Sequence, residues 1–150
     1  MEMKGKKVLV FGSGISGEAA AGLLLREGAQ VVLYDGNEKL DAAEIKTKIQ
    51  ESLAGTGSMD RMREAGIPVW GEIELAYVLG KGDVLAITGT NGKTTTTALL
   101  GQIMGNWKES TFVVGNIGNP YTSIVPETRE DSVIVAEMSS FQLETVHTFR

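Results

Sequence analysis

The stretch from Val84 to Thr97, VLAITGTNGKTTTT, holds the residues whose types and spacing are best suited to chemistry. A short apolar run, Val84-Leu85-Ala86-Ile87, ends abruptly in Thr88-Gly89-Thr90-Asn91-Gly92-Lys93-Thr94-Thr95. That order reads as a buried strand, a glycine loop and a helix start. Two glycines let the backbone turn its N–H groups toward a phosphate, the helix offers the positive end of its dipole, and Lys93 adds a mobile charge. The Thr94 hydroxyl suits a magnesium ion. The usual phosphate-loop spacing, G-x-x-x-x-G-K-[ST], is not met, because Ile87 stands five positions before Gly92. What stands is the shorter G-T-N-G-K-T-T. Gly-Thr-Asn-Gly is also ordinary turn chemistry, yet Lys-Thr directly after the second glycine exceeds what a turn requires. A nucleotide phosphate is the expected ligand, held by Gly89, Thr90, Asn91, Gly92, Lys93, Thr94 and Thr95.

Two further strand ends carry polar groups. Ser132 to Ala136 (SVIVA) is an apolar strand that delivers Glu137 at its carboxyl end, where the side chain is either a second magnesium ligand or a solvated acid. Thr111 to Val114 (TFVV) leads into Gly115-Asn116-Ile117-Gly118-Asn119-Pro120. Asn116 there is either a ligand contact or a left-handed turn residue, since open α/β sheets bind beyond the carboxyl ends of their strands. Ser139 or Ser140 is expected to cap the helix that follows. His147, the only histidine, has no cysteine or acid cluster at ligand spacing, so ordinary surface or packing duty is expected of it.

The first half of the chain contains its own glycine loop. Lys7 to Phe11 (KVLVF) runs into Gly12-Ser13-Gly14-Ile15-Ser16-Gly17, a complete G-x-G-x-x-G. Glu18 to Arg26 is expected to be helical, and Gln30 to Tyr34 (QVVLY) makes a second strand ending in Asp35. The β-α-β order with an acid at the end of the second strand is the arrangement that places a carboxylate on a ribose. The same glycines suit the pyrophosphate of NAD, FAD or a uridine-diphosphate sugar, or simply close helix packing. Residues 38–53 read as an amphipathic helix, 54–58 as a small-residue linker and 60–65 as a short helix. Pro68 argues against a central strand, and Glu72 to Leu79 (EIELAYVL) reads as a helix. The helix after the phosphate loop is expected over Lys93 to Met104, broken at Gly105, with Leu99, Leu100, Ile103 and Met104 in the core.

Composition narrows the function classes. Lys+Arg 14 against Asp+Glu 19 gives a net charge of −5, which disfavours a sequence-independent grip on nucleic acid. There is no cysteine, so no disulfide or thiol chemistry. No apolar run approaches a membrane span and the N-terminus leads into a strand rather than a signal peptide. The chain reads as a soluble, cytoplasmic protein.

Taken together, TGTNGKTTT at 88–96, VGNIGNP at 114–120 and AEMSSFQLE at 136–144 resemble the Mur ligases of bacterial cell-wall synthesis. GSGISG, Asp35 and WGEIEL at 70–75 are similar to the D-glutamate-adding members. The resemblance implies an α/β fold: an abridged Rossmann-like unit that binds UDP over 1–80, then the start of a P-loop-type ATPase domain with a parallel sheet over 81–150. It implies an enzyme that uses ATP and Mg2+ to activate the carboxylate of UDP-N-acetylmuramoyl-L-alanine as an acyl phosphate, which D-glutamate then attacks. By matching motifs, Lys93 and Glu137 would be catalytic, Thr94 and Glu137 would hold the metal, and Asn116, Ser139 and Gln142 would face the muramoyl group. Ile15, Ser16 and Asp35 would bind the UDP end. The family carries two more strands and a Ser-Pro-Gly loop where Ala54-Gly55-Thr56-Gly57-Ser58 stands here, and further catalytic residues beyond the position of Arg150. The expectation is therefore a chain without ligase turnover on its own.

Three other readings use parts of the same residues. An NAD(P)-dependent oxidoreductase would use Gly12 to Gly17 and Asp35 but leave Gly89 to Thr95 without a task. Folylpolyglutamate synthase shares the short phosphate loop and lacks the G-x-G-x-x-G half. A non-catalytic nucleotide-binding scaffold suits the spliced look of 54–60.

Overall fold

The computed structural model describes residues 2–12, 14–34, 66 and 68–150. The expected helices over 38–53 and 60–65, the linker between them and Asp35 lie outside the described residues.

The first sheet pairs β1 (Lys7–Phe11) with β2 (Gln30–Tyr34) in parallel, in the register Lys7 to Gln30 through Phe11 to Tyr34. Helix α1 (Ile15–Arg26) links them and begins inside the glycine loop, three residues earlier than Glu18. Ala20, Leu24 and Ala29 pack with Met3 beneath this sheet. The second sheet holds β3 (Asp83–Ile87), β4 (Thr111–Gly115) and β5 (Val133–Glu137) in the order β3-β5-β4, all parallel. Strand β5 is central, and every residue of it is buried. An unbroken Val-Ile-Val-Ala run is what a strand covered on both faces requires, and burying a residue such as Ile134 contributes about 1.5–3 kcal/mol.

Helix α2 (Glu72–Leu79) lies between the two sheets. Its Leu75 joins the core under the first sheet, while Ile73 and Ala76 pack with Leu23, Tyr121, Ile124, Ile134 and Met138 under the second. The two halves thus share packing through this eight-residue helix and through Leu23 of α1, which reaches the second core directly. Pro68 to Trp70 form no strand, in keeping with the missing backbone donor of the proline.

Helix α3 (Lys93–Trp107) follows the phosphate loop and runs three residues past Met104. Gly105 does not break it, because the Lys108 amide still closes the last turn on the Met104 carbonyl at 2.7 Å. The helix lies on the sheet through Thr97 and Gly101, both buried; a Cβ on Gly101 would press into the Val113 side chain. That close approach rotates Leu99 and Ile103 outward, 57% and 53% exposed, which corrects their expected core role. Leu100 and Met104 are half-buried. A four-residue helix α4 (Tyr121–Ile124) with a 3-10 turn (Val125–Glu127), and a second four-residue helix α5 (Ser140–Leu143), complete the second half.

Candidate functional site

Parallel register brings three motifs to one edge. In β5, Glu137 is paired with Ile87 of β3 on one side and with Gly115 of β4 on the other. The phosphate loop leaves directly after Ile87, the Gly-Asn loop directly after Gly115, and the Ser-Ser-Phe-Gln turn directly after Glu137. All three therefore emerge from the carboxyl ends of adjacent strands, where open α/β sheets bind ligands.

The loop from Gly89 to Gly92 is exposed, as are Thr94 and Thr95. Gly89 has φ +144° and Gly92, the N-cap of α3, has φ +75°, a conformation that an L side chain resists. Among the described residues no side chain caps α3, and no acceptor is seated on the amides of Gly89 to Gly92. A helix N-terminus without a cap, behind a glycine turn, presents free N–H donors and a positive partial charge to an anion. The Lys93 ammonium folds back over the loop and donates to the Gly89 carbonyl at 2.6 Å. Thr90 and Asn91 complete the loop; Thr94 sits in the first turn of α3 without a hydrogen bond to Glu137.

Glu137 is 2% exposed. Its Oε1 accepts from Asn116 Nδ2 at 3.4 Å, and its backbone carbonyl accepts from the Asn116 amide at 2.8 Å. Among the described residues Oε2 is buried with no donor. Asn116 reaches over because Gly115 has φ +105° and a Cβ there would collide with the Glu137 carbonyl. Asn116 itself is not left-handed, since no residue other than glycine has positive φ among those described. Glu137 and Asn116 are thus brought together beside the phosphate loop.

Ser139 and Gln142 are brought together in a capping box. The Gln142 amide donates to Ser139 Oγ at 3.3 Å, and Gln142 Oε1 accepts from the Ser139 amide at 2.9 Å and from its hydroxyl at 3.1 Å. That reciprocal pairing satisfies two orphan donors and fixes how the chain leaves β5. Ile15 and Ser16 open α1 at the carboxyl end of β1 and are exposed, with Gly12 at φ +88° and Gly17 so close to the Gly12 carbonyl that no Cβ fits. His147 lies at the surface, one of the two duties expected of it, with its Nε2 3.0 Å from the Val69 carbonyl. Among the described residues no three His, Cys, Asp or Glu side chains gather to hold a metal by themselves, and no helix is long and apolar enough to cross a membrane.

Sequence reasoning missed Glu72 and Glu74. Glu72 accepts from the Thr122 amide at 2.6 Å and its hydroxyl at 2.9 Å. Burial raises its pKa above the ordinary value, against the Thr122 hydrogen bonds, which lower it. Glu74 is 0% exposed. Burial pushes its carboxyl up, but hydrogen bonds from His147, Thr148 and Phe149 outweigh this and hold the pKa below the ordinary value. The only signal in the sequence was two acids on the otherwise apolar helix EIELAYVL.

The Mur ligase middle domain matches residues 87–150. A UDP-N-acetylmuramoylalanine--D-glutamate ligase of Lachnospira eligens is 51% identical over 99% of this chain and 39% of the relative. The enzyme of that name from Lachnoclostridium phytofermentans is 48% identical over all of this chain and 39% of the relative. The chain thus spans about two fifths of the length of the curated relatives it matches. The first match runs over 175 aligned positions against 150 residues here, so at least 25 of its positions have no counterpart in this chain. From the phosphate-loop strand to Arg150 and across the glycine-loop half alike, the chain belongs to the Mur ligase family.

Proposed function

We propose that the chain carries the ATP-phosphate and magnesium region, together with the UDP-binding half, of a cytoplasmic ligase that joins D-glutamate to UDP-N-acetylmuramoyl-L-alanine. Residues 1–80 are read as the UDP-binding unit and 81–150 as part of the ATPase unit. The observation that carries the reading is Glu137 Oε2, a buried carboxylate oxygen without a donor among the described residues, on the residue paired with Ile87, from which the phosphate loop leaves. A buried acceptor left unsatisfied costs about 1–3 kcal/mol, more when charged. A bound cation removes that cost.

The donor set fits magnesium, a hard ion that binds through one or two carboxylates plus phosphate oxygens and retains several waters. Glu137 and the Thr94 hydroxyl supply oxygens only. When bound, magnesium neutralises the charge that builds on the phosphate oxygens during transfer to the muramoyl carboxylate. The protein's own residues orient and stabilise. The amides of Gly89 to Thr95 cradle the phosphates, Lys93 exchanges the Gly89 carbonyl for β/γ oxygens, and Asn116 aims Glu137 by holding Oε1. Ser139 and Gln142 shape the turn that faces the muramoyl group, while Ile15, Ser16 and Asp35 receive the uridine diphosphate. Catalysis of this kind is mostly alignment and charge neutralisation.

Calorimetric titration with ATP in the presence and absence of magnesium, with a UDP-sugar, and with NADH tests the reading. The expected result is ATP binding that tightens with magnesium, and independent UDP-sugar binding. Binding of NADH without ATP or the UDP-sugar would overturn it in favour of a dinucleotide oxidoreductase.

A further inference from the structure

Three acidic side chains with most of their surface withdrawn from solvent lie among the described residues, and the proposed chemistry uses only Glu137. The other two, Glu72 and Glu74, sit two apart on α2. Residues two apart on an α-helix point about 200° away from each other, so each reaches a different segment. Glu72 takes the Thr122 amide and hydroxyl at 2.6 and 2.9 Å. Thr122 is the second residue of α4, which has no side-chain cap of its own, so Glu72 acts as a cap supplied from outside. Glu74 Oε1 takes the Thr148 amide and hydroxyl at 2.8 and 2.6 Å, and Oε2 takes the amides of His147 and Phe149 at 2.9 and 3.2 Å. Three consecutive backbone donors converge on one fully buried carboxylate.

The two captured segments continue the two loops beside Glu137. Asn116 leads through Pro120 into Thr122, and Ser139 and Gln142 lead into His147. Around Glu74 the neighbouring chain is drawn in as well: the Gly71 amide points to the Thr145 carbonyl at 3.5 Å, and a Cβ on Gly71 would collide with the Thr145 hydroxyl. Tyr77 of α2 meets Phe149 edge to face at 5.0 Å.

We propose that Glu72 and Glu74 are positioning residues: two carboxylates of α2, a helix that also packs on the first half, set the loops carrying Asn116 and Ser139–Gln142 at the carboxyl edge of the second sheet. The first half thereby fixes the geometry around Glu137 without touching it. The functional part of this inference rests on Glu137 being a metal ligand.

Amide hydrogen exchange on Glu72→Gln, Thr122→Val, Glu74→Gln and Thr148→Val tests it. The two threonine variants remove one hydroxyl each without a change of shape, and keep the question answerable if a glutamine variant fails to fold. Protection is expected to fall about ten-fold at residues 116–124 in the first pair and at 144–149 in the second, with 89–95 and 133–136 unchanged. Thr122→Ser, which keeps the hydroxyl, is expected to match wild type. In the first pair the gain in ATP affinity on adding magnesium is expected to shrink several-fold, while affinity without magnesium stays the same. Unchanged protection at both loops, or loss spread evenly over β3 to β5, would overturn the inference. Where the wild type binds ATP, an undiminished magnesium gain in Glu72→Gln and Thr122→Val would overturn it too. A wild type that binds no ATP would defeat the ligase reading instead, and the exchange pattern alone would then decide the positioning role.

Discussion

Ile87 and Glu137 are register partners on adjacent parallel strands, so the residue that feeds the phosphate loop lies beside the one buried carboxylate oxygen that lacks a donor among the described residues. In the proposed function, this edge is where a nucleotide tail and a divalent ion meet.

Glu137→Gln separates stability from ligand binding. Replacing a buried, half-satisfied carboxylate by a neutral amide is expected to stabilise the ligand-free chain by about 1 kcal/mol. Metal-dependent ATP affinity is expected to be lost at the same time. Thermal unfolding and titration with and without magnesium measure the two effects on one sample.

Lys93→Met removes the mobile charge while keeping the length of the side chain. Its only hydrogen bond among the described residues is the exposed contact to the Gly89 carbonyl, so melting is expected to change little. ATP affinity is expected to drop by about 1.5–3 kcal/mol, roughly ten- to a hundred-fold, because a charge-assisted contact to phosphate is lost. Circular dichroism melting beside calorimetry checks both halves of that expectation.

Gly115→Ala places a side chain at φ +105° against the Glu137 carbonyl. The backbone conformation alone costs about 1–2 kcal/mol, and the collision adds to it, so denaturant midpoints are expected to fall. The damage is expected to centre on the Asn116–Glu137 contact, visible as loss of protection at the Asn116 amide.

The pH dependence of stability carries two opposed contributions from α2. The Glu74 pKa lies below the ordinary 4.5, so its contribution is complete above that value and is lost as pH falls through the lowered pKa. The Glu72 pKa lies above 4.5, so folding favours its protonated form, and stability falls as pH rises from 4.5 through the raised value. Subtracting unfolding free energies of Glu74→Gln from wild type is expected to give a difference that grows with pH. The same subtraction for Glu72→Gln is expected to give one that shrinks. Urea titrations across the acid range measure both.

Much of the architecture was legible locally. Short apolar runs of four or five residues marked β1 and β2 and, to within a residue, β3, β4 and β5, because buried parallel strands need continuous apolar sequence. A serine cap at 139 or 140 was legible, and the structure settles it on Ser139, whose side chain and that of Gln142 satisfy each other's amides. The end of α3 and its buried face were not. Gly105 looked like a stop, and Leu99 and Ile103 looked like core, but the close approach of Gly101 to Val113 decided which face turned inward. Helix α4 was invisible as well, since four residues carry no periodicity and its capping group comes from Glu72, fifty positions away.

Read by itself, the order of residues determined which groups this protein can offer: a phosphate-loop lysine and threonine, a dinucleotide-type glycine turn, and acids at strand ends. Those properties depend on neighbours along the chain. Only the tertiary structure decided that Glu137 lies between Ile87 and Gly115, that Asn116 holds one of its oxygens while the other has no donor among the described residues, and that Glu72 and Glu74 clasp the loops on either side. Strand order and the path of a helix between two sheets arise from contacts among residues far apart in sequence, which no local pattern encodes.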